Sequence, residues 1–403
     1  MKAVGLIVEY NPLHNGHLHH IEQAKLKSNA ELVIAVMSGN FLQRGEPAIV
    51  DKFTRAKMAV EQHVDLVIEL PTIYTVQHSD IFAYGAISIL NTMKVDQIIF
   101  GSEQGQIEPF INTYDQIKKN QTRYDQELKR QLQKGANYPT AHTIALEVIG
   151  SNQTLDLKMP NNILGLSYIK AQQQINPNLK IDTIKRIQAN YHQTQLSYPI
   201  TSATSIRQQL SQSFTGETHE SLSMPESSYQ LLSNYYKITD LFHDWELYFP
   251  LLKYRIMSDS FEQLNQIHGM EEGIEHRLKK MIIASHSFAQ FIEKTQTKRY
   301  TKTRLQRLFV HLLLQLTKDE VSRQLKTIDE INDIRILAMN QAGQSYLNQL
   351  KNTTELNFIS QLKKKQSDQL AIDEKASSIY YLPLKFEAQQ LLWKQELTPP
   401  FKV

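Results

Sequence analysis

The chain contains no cysteine. Disulfides, thiolate nucleophiles, cysteine thioesters and cysteine-ligated zinc are therefore all excluded. No apolar run approaches the roughly 20 residues of a membrane-spanning helix, and the first residues enter a strand-like run without a signal-peptide pattern. A cytoplasmic location is the expectation. An excess of charge of one sign is also missing: 44 Lys+Arg face 41 Asp+Glu, for a formal net charge of +3. The whole chain thus carries no strong electrostatic signal for nucleic acid. What surplus exists is local. From Leu241 onward there are 23 basic against 19 acidic side chains, and before it 21 against 22. Repeats and low-complexity tracts are absent too. The 403 residues suggest two or three domains with ample core.

What is present is organised around the first twenty residues. Ala3-Val4-Gly5-Leu6-Ile7-Val8 is short, apolar and bounded by Asn11-Pro12, so it reads as a buried strand. His14-Asn15-Gly16-His17 follows, then Leu18, Ile21 and Ala24 at helical spacing. A strand, a tight turn and a helix start make a phosphate-binding corner, because unpaired N–H groups and the helix dipole point at one spot. His14 and His17 are three apart and can both face it, donating to phosphate oxygens. The same residues also serve as ordinary turn chemistry.

Further strands are expected at Leu32–Met37, Asp65–Pro71, Gln97–Phe100 and Ile181–Ile187. Helices are expected from near Asn15, over 51–64, 79–93, most of 107–149 and onward from the Met159–Gly165 turn through Ala171. Alternating strands and helices imply a doubly wound parallel-sheet α/β domain, with ligands outside the carboxyl ends of the strands. Pro12–His17, Ser38–Phe41 and Gly101–Glu103 all lie at those ends. Asn162 sits where a helix cap would, and Arg186 either reaches a phosphate or lies on a solvated edge. Ile200 to Leu210 is a hydroxyl-rich helix start. Ser202 or Thr204 can cap it, and Arg207 is a forked donor suited to phosphate.

A Ser/Thr/Glu-rich stretch from Ser211 to Glu226 marks a boundary between residues 1–225 and a mainly helical part, 226–403. Five of the ten residues 298–307 are basic: Lys298, Arg299, Lys302, Arg304 and Arg307, with Tyr300 among them. Such a helix start suits an RNA backbone and an unstacked base, or else is a solvated face. Lys363–Lys365 is a weaker basic run.

Two motifs together carry more than either alone. His14, Gly16 and His17 match the HxGH of the HIGH-superfamily nucleotidyltransferases. Ser202, Thr204, Ile206 and Arg207 match their ISSTxxR, with Ala203 departing from the usual serine. Val8–His17, Met37–Ala48, Pro160–Gly165 and Lys185–Ile187 further resemble the bacterial tRNA-Met cytidine acetate ligase family. Small cofactor adenylyltransferases of the pantetheine-phosphate or nicotinate-mononucleotide type usually carry Phe-Asp-Pro after the first strand. Here Glu9-Tyr10-Asn11-Pro12 replaces it, and the long C-terminal region is foreign to those compact enzymes.

The resemblance implies activation of acetate by ATP to acetyl-adenylate, then acetyl transfer to N4 of the wobble cytidine of elongator tRNA-Met. It implies ATP contacts from Ile7, Val8, Glu9, Tyr10, Asn11, Pro12, Leu13, His14, Asn15, Gly16, His17, Leu18, His19 and His20. Gly101, Asn162 and Arg186 join them, with Asn161 the alternative to Asn162. His14, His17, Ser202, Thr204 and Arg207 are the expected catalytic set, with Mg²⁺ on the ATP phosphates and no protein metal site. Lys298, Arg299, Lys302, Arg304 and Arg307 are expected to hold tRNA. A small-molecule adenylyltransferase and an ATP-binding RNA module are the other readings. The base that takes the proton of cytosine N4 is not named by the sequence; Glu9 and a free histidine are candidates.

Overall fold

The computed structural model describes residues 1–136, 138–150, 155–187, 201–213, 222–271, 273–326, 331, 333–363 and 367–403. The expected strands form: β1 Ala3–Val8, β2 Leu32–Ser38, β3 Leu66–Leu70, β4 Gln97–Ser102 and β5 Lys180–Lys185. They pair in parallel in the order β5-β4-β1-β2-β3. β2 and β3 are buried along their whole length, as strands covered on both faces by crossover helices must be. The chain leaves β1 toward β2 and β3, then crosses back to β4 on the other side of β1. That reversal opens a crevice at the carboxyl end of β1.

The C-terminal part is mostly helical, but it returns three strands to the sheet. β6, Asp333–Met339, pairs antiparallel with β3, while β7, Asn357–Ile359, and β8, Phe401–Lys402, add to its far side. β6 closes what would be an open edge at β3. It is hard to read because Arg335 interrupts its apolar run. That arginine is buried and donates from Nη2 to the Glu396 carbonyl at 3.0 Å. Lys52 is buried beside it, 2.9 Å from both Glu69 Oε2 and Glu396 Oε1. The sheet and its buried ion pairs therefore run across the 225/226 division expected from composition.

The basic side of helix Lys52–Glu61 faces inward, since Lys52 and Arg55 are both buried. Among the described residues, no helix is long and apolar enough to cross a membrane. Ile200, Lys364 and Lys365 lie outside the described residues.

Candidate active site

After β1 the chain turns through Glu9–His14 into helix Asn15–Ser28, with buried Tyr10 at a left-handed φ of 48°. Two imidazoles cap that helix. The Gly16 N–H donates to His14 Nδ1 at 3.0 Å, and the His14 N–H donates to His17 Nδ1 at 3.3 Å. This is a capping box in which histidines replace the usual hydroxyl and carboxamide, and it explains the spacing of three. The rings lie 3.9 Å apart.

The caps also fix the tautomer. Each Nδ1 is an acceptor, so each neutral ring carries its proton on Nε2 and presents it as a donor. Burial pushes His14 down to about 3, with Arg186 and Arg207 adding to the effect. Burial, then His14 and Arg186, hold His17 well below its ordinary value. Both rings are therefore neutral at physiological pH. In ¹⁵N spectra of histidine-labelled protein, both are expected to remain Nε2–H tautomers from pH 8 to pH 5. Titration of either near pH 6.5 would contradict this.

The second motif meets the first on the same turn. Ser202 caps helix Ala203–Ser213, its hydroxyl accepting from the Ser205 N–H at 3.1 Å. Arg207 donates to the Asn11 carbonyl at 2.9 Å and to Thr204 Oγ1 at 3.3 Å, 196 residues along the chain from Asn11. Arg186 lies just past β5, its N–H donating to the Ser102 carbonyl at 2.8 Å. Its side chain crosses Gly101, where a Cβ would come within 3.2 Å of Arg186 Cγ. His20 reaches the Ile99 carbonyl on β4 at 3.1 Å. His14, His17, Gly101, Arg186 and Arg207 thus converge at the carboxyl ends of β1 and β4.

Arg55, which the sequence reading did not single out, supports this corner from below. Its guanidinium donates to the carbonyls of Glu9 at 2.6 Å, Ser38 at 3.1 Å, Val50 at 3.2 Å, and Gly39. One side chain ties the ends of β1 and β2 together and sets a positive charge beneath them. A lone arginine in an amphipathic helix carries no sequence signal for that role.

Two expectations need correction. Asn162 is not a cap: helix Pro160–Ile175 has Met159 at that position. Asn162 is buried in the first turn, accepting from the Gln104 N–H at 3.1 Å and donating to the Asp156 carbonyl at 2.9 Å. Its side chain shapes the loop after β4. Asn161 donates to Glu103 at 2.7 Å. Nor is Tyr300 offered to a base. It is buried, its hydroxyl donates to the Glu271 carbonyl, and the Arg304 guanidinium covers its ring at 4.6 Å. Arg304 pairs with Glu271 at 2.7 Å, and Arg307 donates inward to the Gln77 carbonyl at 3.2 Å. Lys298, Arg299 and Lys302 are the exposed members of the cluster.

The chain has known relatives over nearly its whole length. The family model described as HIGH Nucleotidyl Transferase matches residues 1–395. A tRNA(Met) cytidine acetate ligase of Oceanobacillus iheyensis is 44% identical over 402 residues, covering 99% of both chains. One from Bacillus subtilis is 42% identical over 391 residues, covering 96% of this chain and 93% of that one. A crystal structure of Thermotoga maritima TmcAL in its apo form superposes with a TM-score of 0.89 at 30% identity, covering 100% of both chains. A second structure of that protein, bound with alpha-thio ATP, gives 0.88 at 29% identity with the same coverage. The chain belongs to the HIGH nucleotidyl transferase family and, within it, to the tRNA(Met) cytidine acetate ligases.

Proposed function

We propose that this chain activates acetate with ATP and transfers the acetyl group to N4 of the wobble cytidine of elongator tRNA-Met in the cytoplasm. The observation that carries the reading is the convergence of two neutral Nε2–H donors and the Arg207 fork on one turn, in a chain similar over its full length to such ligases. Acetate is already an anion, so its attack on the α-phosphorus needs no base. It needs in-line placement and stabilisation of the charge gathering on pyrophosphate. His14 and His17 donate from Nε2, and Arg186 and Arg207 supply positive charge. Thr204 places its hydroxyl beside Arg207, and the Ser202 hydroxyl caps the same helix. The described residues hold no group of three or more His, Asp or Glu able to cage a metal. Mg²⁺ would enter on the ATP phosphates with its own waters, neutralising part of their charge.

Residues 226–403 hold the tRNA through Lys298, Arg299 and Lys302. Replacing all three by alanine is expected to weaken tRNA binding. It should also lower the slope of log K against log salt by about 2, at roughly 0.7–0.9 per lost phosphate contact. Acetate-dependent pyrophosphate exchange should not change; an unaltered salt slope would place the tRNA elsewhere. The reading itself is tested by incubating the protein with bulk tRNA, ATP and labelled acetate. Label should enter RNA only when all three are present, and its absence from RNA would overturn the reading. A cofactor adenylyltransferase would instead release pyrophosphate with a phosphorylated precursor and need no RNA.

A further inference from the structure

We propose that Glu9 is the catalytic base of the transfer step, taking the N4 proton of a cytosine received on the β2 side of the β1 carboxyl end. This rests on the ligase reading. Glu9 Oε1 accepts from the Gln43 N–H at 2.8 Å and from the Ser38 hydroxyl at 3.5 Å. Oε2 accepts no hydrogen bond among the described residues, and the side chain is only half-buried. One carboxylate oxygen is thus anchored and the other keeps its lone pairs, which is how an oriented base is held. The backbone of the same residue is gripped by Arg55 at 2.6 Å.

The two sides of β1 differ in character. Gly101, Arg186 and the His20 contact to Ile99 lie on the β4 side, where polyphosphate is welcome. Glu9 turns its carboxylate to β2, away from the phosphates that would repel it. The loop that anchors it leads to the C-terminal part. Gln43 Nε2 and Arg307 Nη1 both donate to the Gln77 carbonyl, at 3.0 and 3.2 Å. The Arg307 helix, Lys302–Leu313, begins at the exposed basic cluster, so an acceptor held there is delivered to the Glu9 side.

His14 and His17 are excluded as bases because their Nδ1 atoms are spent on backbone N–H groups and Nε2 already carries the proton. The charged and titratable groups around Glu9 are Arg44, Glu46, Arg55 and Tyr168. Burial raises the carboxyl above its ordinary value, opposed by the Gln43 N–H and Arg44, which moves it toward the range useful to a base. In the step, the N4 lone pair attacks the acetyl carbonyl carbon of acetyl-adenylate. The C–N bond forms and the bond from carbon to the phosphate oxygen breaks. AMP leaves with that electron pair, and the N4 proton passes to Glu9 Oε2 and then to water.

The test is Glu9→Gln, which preserves the backbone and the anchored oxygen. Single-turnover transfer to tRNA is expected to fall about 10²–10⁴-fold further than acetate-dependent pyrophosphate exchange does, the span of general-base catalysis. The wild-type transfer rate should show an acid limb that its exchange rate lacks. Transfer by the variant at the wild-type rate would overturn the proposal. So would parallel loss of exchange in a variant that melts like wild type, because Glu9 would then serve activation. A wild-type transfer rate without the acid limb would overturn it independently of any variant. No acetate-dependent exchange in the wild type would overturn the ligase reading itself.

Discussion

Replacing His17 by alanine is expected to lower acetate-dependent pyrophosphate exchange by about 10²–10³-fold, the usual cost of removing one donor aimed at developing charge. The change removes the Nε2–H that the cap holds in place. It also removes the acceptor of the His14 N–H, at 3.3 Å, and so half of the capping box. Loss of the cap costs about 1 kcal/mol. The two effects can be separated. Glutamine at this position serves an ordinary capping box, so His17→Gln should recover the melting temperature without recovering exchange. Exchange at saturating ATP, measured beside thermal unfolding, checks both. Exchange within tenfold of wild type in the alanine variant would remove His17 from the chemistry.

Arg55→Met should produce the largest loss of stability, about 3–5 kcal/mol in urea unfolding, the range for breaking a buried charged partnership. Its guanidinium serves the carbonyls of Glu9, Ser38, Gly39 and Val50. Each buried acceptor left without a donor costs about 1–3 kcal/mol, and the four share one relaxation, so the sum is not reached. Arg55→Lys keeps the charge but collapses the donors to one centre. It cannot span the ends of β1 and β2, and should recover less than half the loss. A destabilisation below about 1 kcal/mol would mean that the strand ends hold themselves.

The parts legible in the sequence are those with a local signature. β1 to β4 are apolar runs bounded by turns, β5 carries its apolar residues at Ile181 and Ile184, and the alternation of these strands with helices dictates the parallel sheet and the place of the crevice. The His14–His17 spacing and the Ser202–Arg207 helix start are also local, and the fold brings them to one turn. Features that depend on partners distant in sequence were not legible. β6 is disguised by Arg335, whose partner Glu396 comes 61 residues later. Arg55 looks like any helical arginine until four carbonyls surround it. Asn162 and Arg307 have side chains able to hold a ligand, yet the structure turns both toward backbone groups of the protein. Tyr300 is an aromatic among basic residues, but burial takes it out of reach of a base.

The proposed reaction consumes ATP and acetate at one cytidine of one tRNA. Purified elongator tRNA-Met, unmodified at the wobble position, is incubated with the protein, ATP and labelled acetate and then digested to nucleosides. N4-acetylcytidine is expected at the wobble position, formed in step with equal amounts of AMP and pyrophosphate. AMP release without labelled nucleoside, or label at another base, would contradict it.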